Sequence, residues 1–478
     1  MEEQSQDQEY FEKRSLKSGA AGWVLLTGLG VAYVVSGDFS GWNYGIAYGG
    51  WLGLAIAFLA MGCMYACTVF GIAELSSAIP TAGAGYGFAR RAFGRFGGFM
   101  TGLAVLIEYV CAPAAISTFI ANYLDAIGLV SGDGGHLLAV AVCYALFIAV
   151  HIIGVGEALK TTLVITVVAV VALVVFIVGA VPGFDVSRLF DIAPAAGGSA
   201  LLPYGVAGVL AALPFGIWFF LGIEGVPLGS EEARDPRKDV PRAIIGAMAV
   251  LVLTGMAVLF LAAGNTGAAF MGQSTAPLVD VLERAGQPAL GLFVNVAGLF
   301  GLVASFFSLI YAGSRQMFAL SRAGYLPDRL AVTGKRKTPA LALIVIGAVG
   351  FALVAVVRNG DALIDMAVFG ACVSYAMMNL SHIVLRRREP RMRRGYRTPR
   401  RDRHHVGRLR SLVRRDRLDV RDLHAIRHRR ACGAGGGGYL LRGVRAPPAG
   451  RQRARGGVRP HRGGIGGSAG NGNGQRST

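Results

Sequence analysis

The chain has 478 residues, 53% of them hydrophobic and only 16% charged, with a mean hydropathy of +0.51 and a formal net charge of +19. A soluble domain carries about 25% charged residues, so this composition excludes one. Apolar runs of about 20 residues recur, the length of a membrane-crossing helix. They lack the alternation of barrel strands, which leaves an all-α polytopic membrane protein.

Ten spans are predicted, near residues 19–48, 51–78, 97–127, 137–155, 160–182, 204–228, 242–264, 288–314, 340–357 and 362–385. Residues 1–8 are polar and acidic, and the first apolar run has no small-residue cleavage site, so no cleavable signal peptide is expected. The first span is interrupted by "VVSGDFSGWNYG" (Val34–Gly45), where Ser36, Gly37, Ser40 and Gly41 surround Asp38. Non-helical backbone at membrane depth survives only when it is buried in protein or lines a wet cavity. The sixth span carries a counterpart, "FGIWFFLGIEGVPLG" (Phe215–Gly229), with Gly216, Gly222, Glu224, Gly225 and Pro227. Two halves of five spans, each opening on a broken helix, form the signature of an inverted-repeat transporter. The expected division is a terminal segment 1–18, repeats 19–182 and 204–385, a connection 183–203, and a basic tail 386–478. Glycines that serve only close helix packing are the plainer reading. An acid beside each break, at matching positions, favours a binding site.

Connections between spans alternate in charge. Lys13, Arg14, Lys17, Arg90, Arg91, Arg95, Arg237, Lys238, Arg322 and the cluster Arg386–Arg397 lie on one side; the other holds only Arg188, Arg284 and Arg358. That asymmetry predicts a cytoplasmic N-terminus in a plasma (inner) membrane. Five of six cysteines (Cys63, Cys67, Cys111, Cys143, Cys372) lie within apolar runs and read as small hydrophobes, not as a metal site or a disulfide framework. No HExxH, Walker loop or Ser-His-Asp pattern suggests an enzyme, and His151 and His382 are isolated.

Intramembrane acids are costly and mark functional sites by default. Four stand out: Asp38, Glu74, Glu108 and Glu224. Asp38 is expected to pair a substrate ammonium, or else to cap the broken helix. Glu224 is an ammonium partner or proton carrier, or else bonds free N–H groups at the second half-helix. Glu108 either lines the site and titrates or is a buried acid bonded to a neighbouring helix. Glu74 is read as structural or gating. Phe39 and Phe220, with Trp42, Trp218 and Phe219, could cover a cation, although packing alone also explains aromatics in membrane helices. Ser305 and Ser308 either face a cation or substrate or bond back to helix carbonyls. The predicted binding set is Gly37, Asp38, Phe39, Ser40, Gly41, Glu108, Phe220, Gly222 and Glu224, with Glu74, Glu108, Glu224, Ser305 and Ser308 in coupling or gating.

From Arg400 onward there are 20 Arg, no Lys and four Asp, a net +16 of the chain's +19. Three readings of this tail stand. It binds RNA or anionic lipid; it is a partnerless disordered tail; or it is the product of a reading-frame shift near Pro399 in a GC-rich gene. Back-translating Arg451–Ala469 with GC-rich codons and moving one base along permits an acidic helical tail, which favours the frame shift. No nucleic-acid partner is expected.

Four segments carry a resemblance to the amino acid–polyamine–organocation transporter superfamily, over about Trp23 to Pro399. They are "AELSSAIPTAGAGYGFARRAFG" (Ala73–Gly94), "GSEEARDPRKDVPRAI" (Gly229–Ile244), "GSRQMFALSRAGYLP" (Gly313–Pro327) and "LRRREPRMRRGYRTP" (Leu385–Pro399). Within it, "YVVSGDFSGWNYG" most resembles the ethanolamine permease branch. The resemblance implies a LeuT-like 5+5 core of a twelve-span protein, so spans 11 and 12 are expected to be missing. It implies a secondary active transporter importing a small organic amine, most like ethanolamine, by alternating access. An amino-acid permease or exchanger, and a truncated non-transporting product, are the alternatives. In amino-acid carriers of this fold, the glycine-rich break offers N–H groups to the substrate carboxylate; Asp38 in that break opposes an anion and favours a cation. Some members couple to protons through a lysine in span 5, but Lys160 lies too early and "TLVITVVAVVAL" has none. No cofactor is expected; H+ is the expected coupling ion, with Na+ open.

Overall fold

The computed structural model describes residues 19, 21–81, 83–153, 155–334 and 338–398. The tail from Arg400, and with it the frame-shift reading, lies outside the described residues. So does the segment 1–18.

The described residues are helical, as composition predicts. Among the described residues nine helices are long and apolar enough to cross a membrane, joined by the shorter apolar stretch Trp23–Phe39. In order, the helices are α1 (Trp23–Val34), α2 (Ser36–Phe39), α3 (Tyr44–Ala78), α4 (Ala84–Ala126), α5 (Gly132–Ile153), α6 (Val155–Ala180), α7 (Gly205–Trp218), α8 (Pro236–Thr266), α9 (Ala268–Met271), α10 (Pro277–Arg284), α11 (Pro288–Arg322), α12 (Ala340–Val357) and α13 (Gly360–Arg388). The only bridge of strand type among these residues joins Ala21 to Ala233. It ties the start of α1 to the end of the 3-10 stretch Ile223–Glu232 that follows the second break.

Two of the helices that are longer than a bilayer needs are kinked at a glycine. Gly50 (φ 70°, ψ 172°) kinks α3, and Gly94 (φ 78°, ψ −164°) kinks α4. Only glycine adopts such left-handed angles without steric cost. The first kink falls between the predicted first and second spans. The second separates a basic segment, Ala84–Phe93, from the predicted third span.

The core is built by close approach. α4 packs most extensively against α13, and α3 against α7. Apolar residues such as Leu253, Val356 and Phe369 face outward, as lipid-facing positions do. The segment Glu389–Thr398, a strap beyond α13 that composition groups with the basic tail, is held to the bundle. Arg91 grips Glu389 through two hydrogen bonds (2.9 and 2.6 Å), and the Tyr396 N–H donates to Ser77 Oγ at 3.1 Å.

Candidate functional site

The backbone leaves regular α-helix in both glycine-rich stretches. In the first, Ser36–Phe39 still forms one helical turn. The chain opens one residue later, at Ser40 (φ −159°, ψ 159°) and Gly41 (φ +90°), and regains helix at Tyr44. The opened backbone is therefore Ser40–Asn43, the later part of the interrupted stretch. In the second, α7 ends at Trp218, Gly222 takes φ +101°, and a 3-10 stretch follows.

The two breaks cross each other. A Cβ on Gly37 would stand 2.8 Å from the Trp218 carbonyl oxygen, so only glycine admits this approach. The Trp218 indole N–H donates to Ser40 O at 3.0 Å, and the Tyr123 hydroxyl donates to Phe39 O at 2.9 Å. Ser305 on α11 reaches both sides of the α1–α2 junction: its hydroxyl donates to Ala32 O (2.5 Å) and accepts from Ser36 N–H (3.0 Å). Backbone groups freed by breaking a helix in lipid need partners, and here side chains from α4, α7 and α11 supply them. Phe39 fits over α11 because Gly298 and Gly301 carry no side chain there.

The predicted acids do not share one pocket. Asp38 is fully buried. Its Oδ2 accepts a 2.6 Å hydrogen bond from Thr254 on α8, while Oδ1 has no protein partner. Gly255 makes room for it, since a Cβ there would lie 3.1 Å from Oδ1 and 3.0 Å from the Phe58 ring. Glu108 and Glu224 form a second group, joined through the Tyr375 hydroxyl. Glu224 accepts from Tyr109 at 2.7 Å and from Tyr375 at 2.7 Å. The Tyr375 hydroxyl also stands 3.1 Å from Glu108 Oε1 and accepts from Tyr65 at 3.1 Å. Glu108 Oε2 has no protein partner.

A row of rings joins the groups. Phe219 lies 4.9 Å from Phe58, Phe58 lies 5.1 Å from Phe220, Phe220 lies 5.4 Å from Tyr65, and Tyr65 lies 5.1 Å from Tyr375. Asp38 sits at the Phe58–Phe219 end and the glutamates at the Tyr375 end. Among the described residues none of these three acids makes an ion pair, and Trp42 Nε1 and Ser308 Oγ are further buried polar atoms without a partner. Such atoms call for water, an ion or a ligand. Acids held only by hydroxyls, beside aromatic faces, suit a small cation.

Glu74 lies apart. Its Oε1 accepts from the Arg386 Nε (2.9 Å) and forms an ion pair with the Arg394 guanidinium, whose Nε lies 3.0 Å away. Its Oε2 takes Arg386 Nη2 (2.5 Å) and the Thr398 N–H (2.8 Å), with His382 Nε2 at 3.4 Å. This acid joins α3 and α13 to the chain that follows. His151, also buried, is satisfied: Nε2 lies 2.8 Å from Phe307 O and the ring stacks on Phe307.

Sequence reasoning missed Thr254, Gly255, Tyr65, Tyr109 and Tyr375. The tyrosines had a signal, being polar-tipped rings inside apolar runs that need a buried partner. Thr254 had none, because a threonine in a membrane helix usually bonds its own carbonyls, and this one also stands 3.1 Å from Val250 O.

Residues 24–398 match the amino acid permease family. The chain is 30% identical to an uncharacterized transporter of Rhizobium meliloti, over 77% of this chain and 79% of that one. It is 27% identical to a methylthioribose transporter of Bacillus subtilis (79% and 81%) and 25% identical to a branched-chain amino acid permease of the same organism (73% and 76%). With the matched residues running from the first helix to the strap beyond α13, this multi-pass membrane protein belongs to the amino acid permease family.

Proposed function

We infer that the chain is a secondary active transporter, not an enzyme, and imports a small organic amine, ethanolamine foremost, across the plasma membrane with its N-terminus in the cytoplasm. The observation that carries this reading is Asp38. A fully buried carboxyl in the first break, with one oxygen unmatched, is answered by a cation or a proton, and a free carboxylate on the cargo would meet repulsion at its charged form. The segments bearing Asp38 and Glu224 rock against α4 and α11 and expose the site alternately.

The glutamate pair supports proton coupling. Tyr375 has one hydroxyl proton and stands near both carboxyls, so it can donate to only one of them at a time, and Glu108 Oε2, without a protein partner, is an available acceptor for a transported proton. Sodium is the other coupling ion to test, with Ser308 Oγ as an available oxygen.

The test is radiolabelled ethanolamine uptake in cells, with Asp38→Asn beside the wild type and excess alanine as competitor. Saturable uptake that falls at least about a hundredfold in the variant, at equal membrane abundance, supports the assignment; a hundredfold is about 2.7 kcal/mol. Wild-type uptake by Asp38→Asn removes Asp38 from the site. A second reading, amino-acid permease, draws on the name of the B. subtilis branched-chain relative. It gains if ethanolamine is not taken up and alanine or leucine is.

A further inference from the structure

Two cavities outside the transport site lie side by side, with complementary chemistry. The first is a cleft of about 570 Å³ at the basic end of the bundle, between the start of α8 and the strap beyond α13. Arg237, Lys238 and Arg242 line it with Tyr396, over a floor of Ile245 and Gly246. The second is an apolar groove of about 270 Å³ between α1, α6 and α8, lined by Val24, Thr27, Val31, Val167, Val171 and Val250.

The two are connected. Arg242, Gly246 and Val250 are spaced i, i+4, i+8 and form one ridge of α8, which leads from the cleft into the groove. At the crossing Gly246 has no side chain, and its neighbour is Thr27 of the groove; a Cβ there would lie 3.6 Å from Thr27 Cγ2. From Arg242 to Val250 the ridge runs about 12 Å at 1.5 Å per residue. That is close to the roughly 15 Å depth of one leaflet's hydrocarbon.

The nearby acids do not neutralise the cleft. Asp235 takes Lys238 at 3.4 Å, and Asp239 accepts the Asp235 N–H at 3.1 Å. Arg237 and Arg242 are exposed and make no ion pair among the described residues. They stand in the first two turns of a 31-residue helix, at the positive end of its dipole. Val24 and Val167 remain about half exposed along the groove, open to the bilayer.

We propose that the cleft and groove together bind one anionic glycerophospholipid, its phosphate between Arg237 and Arg242 and an acyl chain along Val250 beside Thr27. Basic pockets between helix ends are the usual anionic-lipid sites of membrane proteins. The apolar run beyond Gly246 distinguishes this one from a soluble-anion site. The acyl chain lies against α1, the half-helix that leads into the Asp38 break. Lipid occupancy therefore steadies the piece of the transporter that has to move. The proposal holds whatever the cargo is.

The experiment uses the purified full chain in mild detergent and measures retained lipid by native mass spectrometry. The probes are phosphatidylglycerol and phosphatidylcholine with the same acyl chains. The wild type should retain phosphatidylglycerol preferentially. Each of Arg237→Gln and Arg242→Gln should cut that preference about fivefold, as about 1 kcal/mol per basic residue implies. Gly246→Leu, which blocks the crossing and keeps the charge, should lower retention of both lipids. Equal retention of the two lipids by the wild type, or an unchanged preference in the double arginine variant, overturns the proposal. Displacement of phosphatidylglycerol by inorganic phosphate in Gly246→Leu and wild type alike would reassign the cleft to a soluble anion and overturn it as well.

Discussion

Two sets of buried carboxylates lie in this bundle, and they differ in what surrounds them. Glu74 is met by Arg386, Arg394, His382 and a backbone N–H. Asp38, Glu108 and Glu224 are met by hydroxyls alone, and two of their oxygens have no partner. The first acid has its positive charge built in; the second set does not. A carboxylate wrapped in guanidinium groups holds helices together and has no capacity left for a cargo. One left among hydroxyls and ring faces has its charge unanswered until a cation or a proton arrives. Burial alone would have ranked all four acids as equal candidates.

Removing an acid from each set should break the molecule in different ways. Glu74→Ala leaves Arg394, largely buried, without its counter-charge. Losing one partner of a buried pair costs about 3–5 kcal/mol. The expected outcome is a steep loss of folded, detergent-extractable protein, read by size-exclusion profile and thermal melting. Asp38→Asn removes a charge that no basic side chain depends on, so protein abundance should hold while uptake collapses. A Glu74→Ala protein that is abundant but inactive would erase the contrast and place Glu74 in the transport cycle.

The fold was legible because membrane burial writes itself in long apolar runs, and the breaks because glycines and acids are costly there. Gly37, Gly41 and Gly222 were readable for the same reason: two carry left-handed backbone, and Gly37 admits the Trp218 carbonyl. The grouping of acids was not legible. Asp38 and Glu224 occupy matching places in the two breaks, which suggested one shared pocket. Their side chains turn apart, Asp38 toward Thr254 on α8 and Glu224 toward Tyr109 and Tyr375. Which way a side chain leaves a broken helix depends on the helices packed against it, and no local pattern records that. The strap was hidden by composition, since its arginines look like a continuation of the basic tail. In the structure Arg394 of the strap meets the carboxylate of Glu74, and the strap's Glu389 is met by Arg91.

The glutamate pair offers a finer cut. Tyr375→Phe keeps the ring against Tyr65 and removes the hydroxyl that serves both carboxyls. A hydrogen bond to a charged group contributes about 1.5–3 kcal/mol. Uptake should fall about tenfold or more, and its dependence on the proton gradient should weaken. A proportional loss at every external pH, with the gradient dependence intact, would make Tyr375 a packing residue and remove the pair from coupling.

The smallest expected effect comes from the same Arg–Glu chemistry placed in water. Arg91 and Glu389 meet at 2.6 Å, but their side chains are 46% and 34% exposed. The Arg91 hydrogen bonds hold the Glu389 carboxyl below its ordinary range. A carboxyl lowered in the folded state adds stability above its unfolded pKa of about 4.3. That stability is lost as pH falls through the folded value. Exposed pairs contribute about 0.2–1 kcal/mol after solvent screening. Glu389→Gln should therefore lower the melting temperature at pH 7 far less than Glu74→Ala, and the difference from wild type should vanish toward pH 3. If the two variants melt alike at pH 7, then the strap's grip on α4 matters as much as its grip on α3. In that case exposure is not what separates a structural acid from an incidental one.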